Sequence, residues 1–497
     1  MSGIRVTYSG LISFVIRLVS VFTGIIFTLI VTRQLTQEEF GTWSLIGGLL
    51  LYVVTADFII SYWLTREVAR GIDSAKTAVV SGSVMSIGAI FAYLVIAYFV
   101  GLQSDADQNV LFFAVILVPM GFLNDILNYM NYGWKPQLVS YGFLAFELTK
   151  IPVALILVYF LKMGIEGAIL STFVAYLSSI IIHLIYGRQK LKHKFQKKFL
   201  KKWFKLSWIP LYQSIPNLAF VSDVVIFSVI TGSVIGIAYV TAARTIANLV
   251  QHTSTLSDAI YPKLLAGGKA EYLQENLMRL LYFAIPLLAL SITLARPGLF
   301  ALNPIYENAV PVVILMSIRT MLSIINKLFH SALQGIEEVD INEDSTFMDY
   351  IKSKLFLLPT IRVIQYGSYV VVLVVVFMLL TSASQLELAI FWSIVALIIE
   401  IPFVFYLYVL IRKNFSLKLD VGSLCKYVVV SIGASGLIYI LMEKFLTYKN
   451  NIFEFLPNLL VYVGIGVGLY LTITYLTDRR TKELFDAIIS EVRHKNI

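Results

Sequence analysis

Charge is what this sequence has least of. Only 14% of its residues are Asp, Glu, Lys or Arg, against roughly 25% in a soluble domain. At the same time 58% are hydrophobic and the mean hydropathy is +0.81. That excludes an ordinary soluble globular protein and points to an integral membrane protein. Cysteine is nearly absent. Cys425 alone excludes an internal disulfide framework and any multi-cysteine metal site. The five histidines are scattered and none forms an HExxH-type pair, so no metal and no cofactor are expected. No small-residue cleavage site follows the first apolar run, which therefore reads as a retained helix.

The net charge of +9 raises nucleic acid as a partner, but its location argues against that. Between Arg188 and Lys205 the text "RQKLKHKFQKKFLKKWFK" holds nine Lys or Arg and no acid. Flanked by apolar runs, it reads as a basic amphipathic linker that signals topology and rests on anionic membrane lipids.

A span needs about twenty apolar residues. Such runs lie near 10–31, 42–64, 78–101, 109–129, 138–161 and 164–186. After the linker come 207–231, 235–257, 278–301, 309–333, 356–381, 387–411, 422–446 and 455–477. The expected fold is thus an all-α membrane protein of about 14 helices. Lys and Arg crowd the loops on one side, as in Arg66, Arg70, Lys76, the linker, Arg412 and Lys413. By the positive-inside rule both termini are cytoplasmic, in a multi-pass protein of the cell membrane.

The linker splits the chain into a six-helix lobe (1–187), the linker itself (188–206), a second six-helix lobe (207–413) and helices 13–14 with a tail (414–497). An even helix count per lobe gives both lobes the same topology, as in parallel repeats. "EEFGTW" around Gly41 and "SVIGIAY" around Gly236 echo each other between the first two helices of each lobe.

Ionisable groups inside spans are costly and mark a pathway or a paired site. Three arginines sit on polar stripes at helical spacing. Arg17 runs with Ser13, Ser20, Gly24 and Thr28; Arg244 with Thr241, Asn248, Gln251 and Thr255. Arg319 heads Ser323, Asn326, Lys327, His330 and Gln334. Three such faces could converge on a water-filled cavity that attracts an anion, with Lys150 as a further cation. The bland alternative is that each cation snorkels or neutralises an acid such as Asp57, Asp125, Glu147, Asp223 or Glu400. Glu147 and Lys150, three residues apart, form a natural helical pair. Asp57 and Asp223 are candidates for ion coupling.

"VTRQLTQEEFGTWSLIGGLL" (31–50) resembles the first loop and second helix of Wzx-type polysaccharide-export flippases, in the multidrug/oligosaccharidyl-lipid/polysaccharide (MOP) superfamily. That family's Arg-Leu-x-x-x-Glu-Tyr/Phe-Gly turn is approximated by Arg33, Leu35, Glu39, Phe40 and Gly41. The stretch 206–243, with mid-helix Asp223 and then Gly236 and Tyr239, is similar to its seventh and eighth helices. "IYPKLL" (260–265), "NPIYENAVPVVILMS" (303–317) and "ALQG" (332–335) also fit, so the likeness covers essentially the whole chain.

The resemblance implies a flippase for lipid-linked oligosaccharide. Its cationic cavity would hold the carrier's pyrophosphate at Arg17, Arg244 and Arg319. Helices 13 and 14 would form a groove for a lipid tail. Glycan-assembly enzymes would be partners. One departure is the acidic loop 336–355, longer than the family usually has there. Thr36 and Glu39 read as a capping box that starts the second helix.

Two rival classes remain. A cation-coupled multidrug exporter of the same superfamily would be expected to have an acidic cavity. A membrane glycosyltransferase or polymerase would need catalytic groups on a substantial outer loop, and the outer loops here are short.

Overall fold

The computed structural model describes residues 23–135, 137–257, 260, 264, 271–337, 339, 347–415, 417, 419–483 and 485–486. Among these residues every regular element is helical. The first helix, α1, is described over 23–34. Next come α2 (Gln37–Val54), α3 (Phe58–Ala69), α4 (Ala75–Gln103), α5 (Gln108–Phe113), α6 (Leu117–Trp134), α7 (Gln137–Ala154) and α8 (Gly164–Gly187). The linker holds α9 (Lys197–Lys205). Beyond it lie α10 (Trp208–Thr231), α11 (Ile235–Gln251), α12 (Glu271–Thr293), α13 (Ala295–Leu302) and α14 (Val310–Gly335). The chain continues through α15 (Phe347–Lys352), α16 (Lys354–Leu379), α17 (Gln385–Asn414), α18 (Val421–Phe445) and α19 (Ile452–Thr477).

Among the described residues, 12 helical stretches are long and apolar enough to cross a membrane. α2 and α3 join into one of them, Gln37–Ala69. The two remaining expected spans are α1 and α11, the latter 17 residues long and extended by a 3-10 turn at His252–Ser257. This is a multi-pass all-α membrane protein. Much of the acidic loop 336–355, and "IYPKLL" except Ile260 and Leu264, lie outside the described residues.

α2 begins where the sequence places a cap. Thr36 Oγ1 accepts from the Glu39 amide at 3.1 Å, and Glu39 Oε2 accepts from the Thr36 amide at 2.9 Å. Two residues on, Gly41 permits a close approach. A Cβ there would lie 2.1 Å from the Val234 carbonyl oxygen. The 232–234 turn is held by Asp105, which accepts from the Val234 amide at 2.7 Å and from Ser233 Oγ at 2.8 Å. Gly232 takes φ +69° in that turn, a conformation open to glycine at little cost.

Packing divides the chain into two compact units. Unit 1 comprises Met1–Thr241 and Tyr366–Leu388; unit 2 comprises Ala242–Gln365 and Ala389–Ile497. In unit 1, α6 packs against α3, α4 and α8, and α7 against α8. In unit 2, α12 packs on α14 and α18, and α18 on α19. Its main core gathers Val250, Leu273, Leu280, Ile324, Leu328 and Leu407.

The linker helix α9 is anchored rather than loose. Phe199 and Trp203 are buried. Lys202 Nζ lies 3.0 Å from Glu67 Oε1, and Trp203 Nε1 donates to Glu67 Oε2 at 3.3 Å. The other lysines of α9 stay exposed.

Candidate functional site

Unit 2 carries the stripes read from the sequence. On α11, Ala242, Ala243, Ile246, Ala247 and Val250 are buried. Arg244 and Gln251 are partly accessible and Asn248 is exposed, so they share the open face. The Arg244 guanidinium carbon stands 5.3 Å from the ring centre of buried Trp392. On α14, Arg319, Ser323, Asn326 and His330 are all partly accessible, with Lys327 exposed near them. The two stripes are therefore real helix faces.

Asn326 has a firm partner that its spacing did not announce. Its Nδ2 donates to Glu400 Oε1 at 2.9 Å, and Gln365 Nε2 donates to Glu400 Oε2 at 3.0 Å. Glu400 is 2% exposed, so two amides hold a buried carboxylate beside the stripe. His330 lies beside Arg362 and the backbone of Leu358.

Unit 1 holds Lys150, Asp57 and Asp223. Glu147 acts on Lys150 through its charge, as the spacing implied, but the two make no close ion pair. Lys150 Nζ instead sits 3.9 Å from the ring centre of Phe27 and 5.3 Å from that of Phe146. The physical reason is geometric: α1 and α7 present two ring faces to the ammonium, and a cation over a ring gains roughly 0.5–2 kcal/mol. Glu147 is buried and its Oε2 has no hydrogen-bond partner.

Asp57, in the 3-10 turn between α2 and α3, accepts from Ser61 Oγ at 2.7 Å and faces Asp125 of α6. Asp223, in α10, accepts from Tyr369 at 3.1 Å, and both residues are buried. Arg17, with Ser13 and Ser20, lies outside the described residues.

The sequence reading missed the residues around Asp125. Tyr129 lies within the field of both Asp57 and Asp125, and Tyr176 within that of Asp125. A signal was available: "NDILNYMNY" (124–132) is unusually polar for a span. No cluster of three or more potential metal-binding side chains occurs among the described residues.

Solved structures share this arrangement of helices. The inward closed conformation of the lipid II flippase MurJ superposes with a TM-score of 0.67 at 15% identity, covering 95% of this chain and 99% of that one. An inward-facing multidrug resistance MATE family transporter of the MOP superfamily matches with a TM-score of 0.59 at 14% identity, covering 81% and 98%. The fold is MOP-like. The MATE structure leaves about a fifth of this chain uncovered, whereas MurJ is matched over nearly all of it. No sequence family and no curated protein matches the chain.

Proposed function

We propose that this protein is a flippase. It carries a polyprenyl-(pyro)phosphate-linked oligosaccharide from the cytoplasmic to the outer leaflet by alternating access, for cell-surface polysaccharide or glycan assembly. The observation that carries this reading is the pair of open polar faces on α11 and α14, each with an arginine in the body of an apolar helix. A cation at mid-span costs about 2.5–3.5 kcal/mol on insertion scales. A guanidinium offers a phosphate two parallel charge-assisted hydrogen bonds, so a (pyro)phosphate compensates that cost better than a neutral solute does. The match to a lipid II flippase over nearly the whole chain supports the reading.

In this mechanism Arg244 and Arg319, with Arg17, hold the carrier's phosphates, and Lys150 adds positive potential. Asn248, Gln251, Ser323, Asn326 and His330 supply hydrogen bonds along the hydrated faces. Asp57 and Asp223 are the candidates for binding a coupling ion. With an inside-negative potential, each negative charge moved outward gains about 2.3 kcal/mol per 100 mV. The exposed lysines of α9 rest on anionic lipid of the cytoplasmic leaflet, where enzymes of glycan assembly deliver the substrate.

Substituting Arg17, Arg244 or Arg319 singly by Ala should abolish glycan display while membrane expression persists. Normal display in all three variants removes the arginines from the mechanism. A second reading, export of organic cations, draws on the acids Asp57 and Asp125 of unit 1. Drug resistance conferred by the wild type, without any effect on glycan display, would favour it.

A further inference from the structure

A band of rings and polar groups crosses unit 1. At one end the Arg66 guanidinium carbon lies 4.6 Å from the Tyr62 ring centre. Tyr62 meets Phe58 edge to face at 5.6 Å, and Phe58 meets Tyr129 at 6.2 Å. Beyond Tyr129 come Asp125 and then Tyr176, which meets Phe146 at 5.0 Å. Lys150 closes the far end against Phe146. Helices α3, α6, α7 and α8 all contribute.

Two properties separate this band from ordinary core packing. First, Tyr62, Asp125, Tyr129 and Tyr176 are each partly accessible within membrane spans. A carboxylate and phenols cannot face hydrocarbon cheaply, so this surface borders a hydrated space. Second, its hydrogen bonding is incomplete. Asn124 Oδ1, Asn128 Oδ1 and Trp63 Nε1 are buried atoms without a hydrogen-bond partner. The great majority of buried polar atoms in proteins are paired, and each unpaired one costs about 1–3 kcal/mol. Asn124 and Asn128 lie one turn apart on α6, next to Asp125 and Tyr129, so the unspent capacity is concentrated on one element.

Ring faces alternating with carboxylate and amide groups suit a ligand that is apolar on one face and hydroxylated at its edge. A pyranose is such a ligand: its C–H face packs on a ring while its hydroxyls donate to Asp and Asn oxygens. A lipid tail would leave those acceptors unpaired. An organic cation is disfavoured because the Arg66 guanidinium at one end of the band and the Lys150 ammonium at the other repel it, whereas a neutral sugar is not repelled. We propose that the Tyr62–Tyr129–Asp125 band of unit 1, with Asn124 and Asn128, is the contact surface for the sugar part of the substrate. This rests on the flippase reading above and adds to it a surface, within unit 1, that recognises the sugar.

The test uses the full protein in lipid nanodiscs and one carrier, undecaprenyl pyrophosphate, either bare or bearing glucose, galactose or N-acetylglucosamine. The wild type should bind at least one sugar-bearing form more tightly than the bare carrier. Tyr62→Leu and Asn128→Leu should each erase that preference, a loss of about tenfold, and leave bare-carrier affinity unchanged. Tyr129→Phe, which removes only a hydroxyl, guards against misfolding and should lose part of the preference. Arg319→Ala should weaken all forms alike. The proposal is overturned if no sugar improves binding, or if the three band variants keep the preference. It also falls if tetraphenylphosphonium binds and Tyr62→Leu abolishes that binding. A wild type that binds no form of the carrier overturns the flippase reading, and this proposal with it.

Discussion

Lys150 and Glu147 are spaced to pair, yet the ammonium lies over Phe27 and Phe146. Spacing along one helix cannot reveal what a neighbouring helix offers. The same holds for Asn326, a stripe member whose partner, Glu400, comes from α17. Outside the spans, Asp478 shows a dense local set of bonds. It accepts from Ser423 Oγ at 2.7 Å, from the Thr481 amide at 3.0 Å and from Tyr427 at 3.1 Å. Burial pushes its carboxyl up, but these hydrogen bonds outweigh burial and hold it below the ordinary value. Asp420 is also lowered, chiefly by the Ser423 amide and despite some desolvation. A carboxyl whose folded value is depressed stabilises the fold above its unfolded value, about 3.9. That contribution is lost as pH falls through the folded value. Thermal unfolding should therefore shift downward between about pH 5 and pH 3. Asp478→Asn should lower the melting temperature at neutral pH and flatten that acid dependence. An unchanged acid dependence in the variant would remove Asp478 from the account.

At the scale of elements, the helix starts and spans were legible because apolar length and caps are local properties. The Thr36–Glu39 capping box is formed as the spacing implied. The role of Gly41 was not legible from spacing, since it depends on the Val234 carbonyl far along the chain. Gly41→Ala should drive α2 off the 232–234 turn and cost about 1–3 kcal/mol, the usual scale of overpacking. Gly47→Ala, on the same helix with open space at its Cβ, is the control and should leave stability unchanged or improved. Melting temperatures of the two variants decide the point. The linker behaves as an element too. Glu67→Gln removes the charge that Lys202 pairs with and should loosen α9. Trypsin should then cut within Lys197–Lys205 several-fold faster than in wild type. Equal cleavage rates would show that Phe199 and Trp203 anchor the helix unaided.

For the whole molecule, the spans were legible because a bilayer imposes a length on every apolar helix, and 12 of the fourteen expected stand among the described residues. The MOP-like fold was legible only through the family resemblance. The candidate site was only half legible, and its role is a proposal. The stripes on α11 and α14 could be read, since each lies on one helix. The Tyr62–Tyr129–Asp125 band could not, because it joins helices distant in sequence, and its one local trace was the polar text of α6. In the flippase proposed above, intramembrane arginines move a phosphate-linked glycan across the bilayer. Reconstitution into proteoliposomes decides this, with N-acetylglucosamine-bearing undecaprenyl pyrophosphate in one leaflet and its appearance in the other measured over time. Wild-type protein should accelerate this movement over protein-free liposomes, and Arg244→Ala and Arg319→Ala should return it to the protein-free rate. Equal transbilayer rates with wild type, variants and no protein would rule out flipping by these arginines.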